Sequence, residues 1–374
     1  MIINGLELYH IAIPFAEPYK LAKTYGTLHT AHAVIVKLLT DVGLFGLGEA
    51  DPMIPFTDES PASVMAVISG IIAPYIIGKN PEELTQLESN LDRMVHGNLT
   101  ARGAINMALY DILGKSTNMP VHQLLGGLYH NRLPLLLGIS SGGRDESLAA
   151  VEALVEKGLR TVMIKMGDLQ IADEITRFRA VRKHFGEELK IIVDANQGWN
   201  LFETFEFIEG IKGERLDLLE QPIERRDLNG LKRIHDRLDC PLSADESLVE
   251  VADAAELIRE QVVDVLSIKV SKNGGLTRSK LIAQMAAGFG LKCLMNSMLE
   301  FGITQAASLH LGCTLTNLMD CGHAYGSVTR MSDDITDFDR NISRAIITIP
   351  SGPGLGVNLK EDKLKKYTID RIKI

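Results

Sequence analysis

The sequence predicts an α/β barrel of strand–helix units with a separate α+β domain in front of it, and three observations carry that prediction. From Leu133 onward, short apolar runs rich in β-forming residues alternate with longer stretches whose apolar residues recur at helical spacing. A polar residue stands near the end of each apolar run, and these residues recur every 24 to 29 positions: Ser140, Lys165, Asp194, Glu220, Asp245, Lys269, Asn296 and Asp320. Residues 1–125 do not share this repeat.

In chain order, "GLELYHIAIPF", "AHAVIVKLLT" and "GLFGLGEA" read as antiparallel strands. "SPASVMAVISGIIAPYII", "NPEELTQLESNLDRMV" and "TARGAINMALYDILGKS" read as helices that begin at Ser or Thr caps or near Pro. Strands followed by helices make an α+β unit. The barrel strands are expected at 133–140, 161–166, 189–196, 216–222, 241–246, 263–270, 291–297 and 315–321. Parallel strands joined by right-handed helical crossovers close into a barrel at eight units, and their carboxyl ends then meet on one face. The late "RAIITIPSGPGLGVNL" has no place in such a barrel, and we expect it to pack back on the N-terminal domain. The domains are therefore expected at 1–125, 126–325 and 326–374.

The chain has 374 residues, 45% of them hydrophobic, enough for one large core plus a smaller domain. Its net charge of −9 speaks against nucleic acid or an anionic membrane as partner, since both require clustered Lys and Arg. Four scattered cysteines without a Cys-x-x-Cys pair read as reduced thiols. The N-terminus lacks the pattern of a signal peptide, and the apolar run 63–77, broken by Gly70 and Pro74, is too short to span a membrane. A cytoplasmic location is the expectation.

Asp194, Glu220 and Asp245 end three consecutive strands. Three carboxylates brought together raise one another's pKa unless a cation neutralises them, and an all-oxygen ligand set suits Mg²⁺. Lys165 and Lys269 flank this trio from the second and sixth strands. Near a divalent cation and partly removed from water, a lysine can serve as a general base. If a substrate carboxylate binds the metal, the α-proton becomes removable because the enediolate charge is stabilised, and two lysines can serve opposite faces of one carbon.

"VDANQGW" (193–199), "LEQPI" (219–223), "ADES" (244–247) and "IKVSKNGG" (268–275) resemble the barrel signature of the enolase superfamily, in the mandelate racemase/muconate lactonizing enzyme family. The likeness is to its group of muconate lactonizing enzymes, dipeptide epimerases and N-acylamino acid racemases. "ARGAINMALYDILGK", "PVHQLLGG" and "PSGPGLGV" extend it over nearly the whole chain. The resemblance implies a modified TIM barrel, (β/α)₇β, with an N-terminal α+β capping domain completed by the C-terminal segment. It implies one Mg²⁺ per subunit, with Mn²⁺ as a possible substitute. The metal ligands become Asp194, Glu220 and Asp245, and the acid/base pair becomes Lys165 and Lys269. Asn196 and Glu246 are expected to support the metal site. Loops 17–30 and 50–58 are expected to close over substrate, with Tyr25 and Phe56 the residues in them to test first.

Two positions depart from the family pattern. Met163 replaces the first lysine of the usual Lys-x-Lys, and Gly322 stands where dipeptide epimerases carry the second acid of an eighth-strand Asp-x-Asp. Asp320, retained there, favours a cationic or amide-bearing substrate, while Ser140, Asn296, Met298 and Glu300 are placed near the same pocket. The expected activity is racemisation or epimerisation of a dipeptide or N-substituted amino acid, an isomerase acting on a small carboxylate, by a homo-oligomer. Muconate-type cycloisomerisation, o-succinylbenzoate synthesis and dehydration share the same intermediate and stay open. A Schiff-base aldolase or a non-catalytic barrel would leave the acidic trio unexplained.

Overall fold

The computed structural model describes residues 1–374. Strands β1 (Ile3–Lys20), β2 (Thr27–Thr40) and β3 (Phe45–Ala50) form an antiparallel sheet in which each pairs with the next. Its two faces bury apolar side chains in different cores, which is why "AHAVIVKLL" is apolar almost without alternation. Leu6, Leu8, Val34 and Val36 join a core with the cap helices, while Ile11, Ile13, Ala33 and Ile35 join the barrel's core. The helix Leu99–Ser116 lies directly on β3. A Cβ at Gly46 or Gly48 would overlap the carbonyl oxygens of Ala108 and Ala104, so only glycine permits this approach.

The chain then enters the barrel through β4 (Arg132–Pro134) and β5 (Leu137–Ile139). Next come β6 (Thr161–Lys165), β7 (Lys190–Asp194), β8 (Leu218–Glu220), β9 (Leu242–Ala244), β10 (Val265–Ile268) and β11 (Lys292–Met295). Strands β5 to β11 pair in sequence order as one parallel sheet, with helices between them. The eighth strand expected at 315–321 is not regular. That segment makes single bridges, Leu318 to Cys293 on one side and His323 to Leu135 on the other, and fills the gap between β11 and the first strand. Seven strands and an eighth position form the (β/α)₇β barrel, not eight complete units. The first predicted strand, 133–140, is likewise split between β4 and β5.

The C-terminal segment divides its packing. After β12 (Ile342–Ser343), strand β13 (Ile346–Thr348) pairs with β4 at the barrel's entrance, while β14 (Thr368–Lys373) pairs with β1 and completes the cap sheet. Of "RAIITIPSGPGLGVNL", expected to pack back on the N-terminal domain, the strand β13 lies instead on β4, and the strand that joins the cap sheet is β14. The following loop reaches the cap helix through Leu355, whose N–H donates to Asp111 Oδ1 at 2.8 Å.

Buried polar contacts bind cap to barrel. Glu49, at the end of β3, accepts from the N–H groups of Phe301, Ile303 and Thr304, at the start of helix Gly302–Gly312. Asn106 Oδ1 accepts from Leu276 N at 2.7 Å. No helix is long and apolar enough to cross a membrane.

Candidate active site

Strand parity builds the site. Side chains two apart on a strand face the same way, and the inward set pairs a small or apolar residue with a functional one above it: Met163 with Lys165, Ile192 with Asp194, Leu218 with Glu220, Ser267 with Lys269, Leu294 with Asn296. Leu136, Met163, Ile192, Leu218, Val265, Leu294 and Cys321 pack together as the barrel's inner layer. The candidate site residues stand on that floor at the carboxyl end.

Helix packing fixes the strand end that carries Lys165. Arg177 is fully buried, and its guanidinium donates to the Lys165 carbonyl at 2.6 Å and to the Ser140 carbonyl at 2.7 Å. Glu174 accepts from Gly167 N and holds the turn that follows.

One carboxylate oxygen from each of Asp194, Glu220 and Asp245 lies within 4.8 Å of the others, and all three residues are fully buried. Lys165 Nζ pairs with Asp194 Oδ2. Lys269 Nζ lies 2.6 Å from Asp245 Oδ2 and 4.2 Å from the Phe56 ring centre. Asn296 donates to Glu220 Oε1 at 2.7 Å, whereas Glu220 Oε2 is buried with no partner. An orphaned carboxylate oxygen among three converging acids, with no nitrogen or sulfur ligand, fits a hard divalent cation.

The electrostatics agree with that fit. Burial, then the charges of Asp194 and Asp245, push Glu220 well above the usual carboxylate range. Burial acts upward on Asp245 too, but Lys269 and Lys272 overcome it and hold it at about 2. Glu246 is raised to about 7 by burial and then by Asp245 and Asp194. Burial pulls both lysines down, yet Asp194 on Lys165 and Asp245 on Lys269 outweigh it and hold the amines above their ordinary value. The lowered amines expected from the sequence rested on a cation's charge; in this structure the carboxylates pair with the lysines instead.

Around this centre, Asn196 Nδ2 lies 3.2 Å from Glu246 Oε1, which also accepts from Tyr25 OH at 2.9 Å. Tyr25, Phe56, Asn296 and Met298 line the same cavity as Lys165 and Lys269. Glu300 lies behind it, bonded to Ser297 and to Met298 N.

Three expected substrate residues are elsewhere. Asp320 is exposed and pairs with Lys190 Nζ at 2.9 Å, at the opposite end of the barrel. Parity is the reason: Cys321, not Asp320, joins the inner layer. Gly322 packs where a Cβ would overlap the Leu135 carbonyl, and its N–H donates to Thr161, the first residue of β6. Ser140 lies one residue beyond β5 and lines a neighbouring groove with Glu146.

Sequence reasoning also passed over residues that the structure brings in. Lys272 is buried, and its ammonium lies 2.7 Å from Asp245 Oδ1; its position three residues after Lys269 was the available signal. Gln221 Oε1 accepts from Asp245 N and Ser247 N, holding the loop that carries the third acid. Arg330 and Tyr19 line the cavity without any motif to mark them.

Comparison with known proteins agrees with this geometry. A model described as "Enolase C-terminal domain-like" matches residues 146–363, and that of the mandelate racemase / muconate lactonizing enzyme N-terminal domain matches residues 6–126. The L-Ala-D/L-Glu epimerase of Bacillus subtilis (strain 168) is 32% identical over 359 residues, 96% of this chain and 97% of its own. A chloromuconate cycloisomerase of Delftia acidovorans is 30% identical over 371 residues, 98% of this chain and 99% of its own. The crystal structure of N-succinyl Arg/Lys racemase from Bacillus cereus superposes with a TM-score of 0.95 at 28% identity, covering 100% of both chains. The chain is an isomerase and belongs to the mandelate racemase / muconate lactonizing enzyme family of the enolase superfamily.

Proposed function

We propose that the protein is a Mg²⁺-dependent racemase or epimerase that removes and returns the proton α to a substrate carboxylate, acting on an N-substituted amino acid. The observation that carries this reading is the pair Lys165 and Lys269 in one cavity, on strands β6 and β10 that flank the three acid-bearing strands. Asp194, Glu220 and Asp245 would hold Mg²⁺, which when bound would supply positive charge against the substrate's carboxylate and so acidify the neighbouring C–H. One lysine takes the proton as a free amine, and the other, as an ammonium, delivers one to the far face. Asn296 orients Glu220, Lys272 orients Asp245, and the cap residues Tyr25 and Phe56 exclude water above the lysines.

The choice of substrate follows from charge. With Asp320 at the other end of the barrel, no acidic side chain lines the cavity to receive a free ammonium. An acylated nitrogen avoids that unpaired charge, so N-acyl amino acids are favoured over dipeptides with a free amine.

The test is α-deuterium exchange of N-acyl amino acid enantiomers in D₂O with Mg²⁺. Lys165→Ala is expected to abolish exchange of one enantiomer and Lys269→Ala that of the other, each lowering the affected rate by about 10²–10⁴. Equal, partial losses on both enantiomers would contradict the two-face assignment. Turnover of muconate without exchange of any amino acid derivative would assign the chain to cycloisomerisation.

A further inference from the structure

Two pairs of histidines meet in this chain, and they differ in what can reach them. His122 and His310 are buried and stacked, and His310 Nε2 already contacts the Leu355 carbonyl. His10, on β1, and His32, on β2, stand at the surface of the cap sheet, the first half-buried and the second exposed, with His10 Nε2 3.1 Å from His32 Nδ1.

Strand register brings the open pair together. His10 lies opposite Val34 and His32 opposite Ala12, so the two histidines are diagonal neighbours on one face, within reach of side chains of this length. It is the face whose Leu6, Leu8, Val34 and Val36 pack against the cap helices, whereas Ile11, Ile13 and Ala33 on the other face pack against the barrel. The sheet itself therefore separates these rings from the acidic trio. On the other flank of β1, His10 lies opposite Asp370 of β14, which puts a carboxylate on the same face. The register shifts between His10 and Ile11, an irregularity of the kind that re-aims a side chain. His32 also lines a hollow with Pro52, Ile54 and Pro61, so the open side of the pair is concave.

The spacing has a chemical meaning. Two nitrogens bound to one metal ion at about 2.0–2.1 Å are about 2.9 Å apart at a right angle and about 3.4 Å apart at the tetrahedral angle. The 3.1 Å between His10 and His32 falls between these limits. Without an ion, one ring donates its N–H to the lone pair of the other. With an ion, the donating ring carries that proton on its outer nitrogen instead, and both facing lone pairs are free. Burial lowers both imidazoles from their ordinary value, and His32 lowers His10 further against the opposing pull of Asp370, so both rings are uncharged at neutral pH, the form that ligates.

We propose that His10 and His32 form a site for one divalent ion of the borderline class, Zn²⁺, Ni²⁺ or Cu²⁺, on the outer face of the cap sheet, with Asp370 supplying negative charge at its edge. Imidazole nitrogens suit these ions, and the all-oxygen trio in the barrel suits Mg²⁺, so the chain carries two metal sites of different chemistry. The histidine site goes beyond the proton-abstraction reading, which involves neither ring.

Calorimetric titration with Zn²⁺, in millimolar Mg²⁺ to keep the acidic trio occupied, is expected to show one equivalent of binding. His10→Ala and His32→Ala are each expected to weaken it about a hundredfold, and Asp370→Asn about tenfold. Urea midpoints measured without Zn²⁺ check that the variants fold. Cu²⁺ in place of Zn²⁺ reads the ligands directly: the electron paramagnetic resonance spectrum of the first equivalent should show splitting from two nitrogens, reduced to one in either histidine variant. Zn²⁺ binding that survives both histidine variants overturns the proposal, as does a first Cu²⁺ equivalent without nitrogen splitting. Zn²⁺ binding that Mg²⁺ abolishes and the histidine variants leave unaltered would put the ion at Asp194, Glu220 and Asp245 instead.

Discussion

Glu220 concentrates the conflict between folding and function at the scale of one residue. Its carboxylate is buried beside two others, and its folded-state pKa is raised, so the unfolded chain loses this proton first and stability falls as pH rises above the ordinary carboxylate value. Glu220→Gln keeps the shape and an acceptor for Asn296 while removing that charge. Without metal, the variant is expected to be about 1–3 kcal/mol more stable in urea. With millimolar Mg²⁺ the order reverses, because the parent gains stability by binding and the variant does not. Equal stabilisation of both proteins by Mg²⁺ would remove Glu220 from the ligand set. Met163 illustrates a different constraint. It packs in the barrel's inner layer one step below Lys165, so the position where the family pattern implies a second lysine is here part of the hydrophobic floor.

Between elements, the joint of cap and barrel rests on few side chains. Glu49 closes β3 against the first N–H groups of helix Gly302–Gly312, which otherwise have no intrahelical acceptor. Burial, then the charge of Asp51, pushes its pKa well above the ordinary carboxylate value, and the three N–H bonds are what its buried oxygens have in return. Glu49→Ala strands three buried donors and is expected to cost about 2–4 kcal/mol by urea denaturation, with Glu49→Gln costing less. Because Phe56 and Tyr25 belong to cap loops while the lysines belong to the barrel, the same variant is expected to raise KM more than it lowers kcat. A loss of stability with unchanged kinetics would show that the two parts hold their alignment without this contact.

Across the whole molecule, acid sensitivity has an identifiable source besides the site. Burial holds His310 and His323 neutral, at about 3. In the unfolded chain both bind protons near pH 6.5, so the unfolded state takes up more protons at any pH between about 3 and 6.5, and stability falls as pH falls through that window. Each contributes a slope of about 1.4 kcal/mol per pH unit well below pH 6. Urea midpoints between pH 7 and 5 should therefore drop, and His310→Gln should flatten the slope by about one proton's worth. An unaltered slope would mean that His310 gains its proton in the folded state. His310 stacks on His122 and contacts the Leu355 carbonyl, so this acid-sensitive point lies where barrel helix, cap-proximal helix and C-terminal loop meet.

The sequence by itself determined the architecture and the convergence of the candidate residues on one face. Hydrophobic period and turn signals mark the strands, and the strands' carboxyl ends converge by topology, so Lys165, Asp194, Glu220, Asp245 and Lys269 were legible from spacing and from family motifs. Tertiary structure decided which face each remaining residue presents. A shift of one position reverses a strand's side chains, and in the irregular eighth segment no hydrophobic alternation fixes that parity, so Asp320 pairs with Lys190 at the far end and Cys321 takes the interior place. Arg330 was illegible for a related reason. Its place in the cavity comes from a long-range bridge to β1, a pairing between the two ends of the chain that no local pattern encodes.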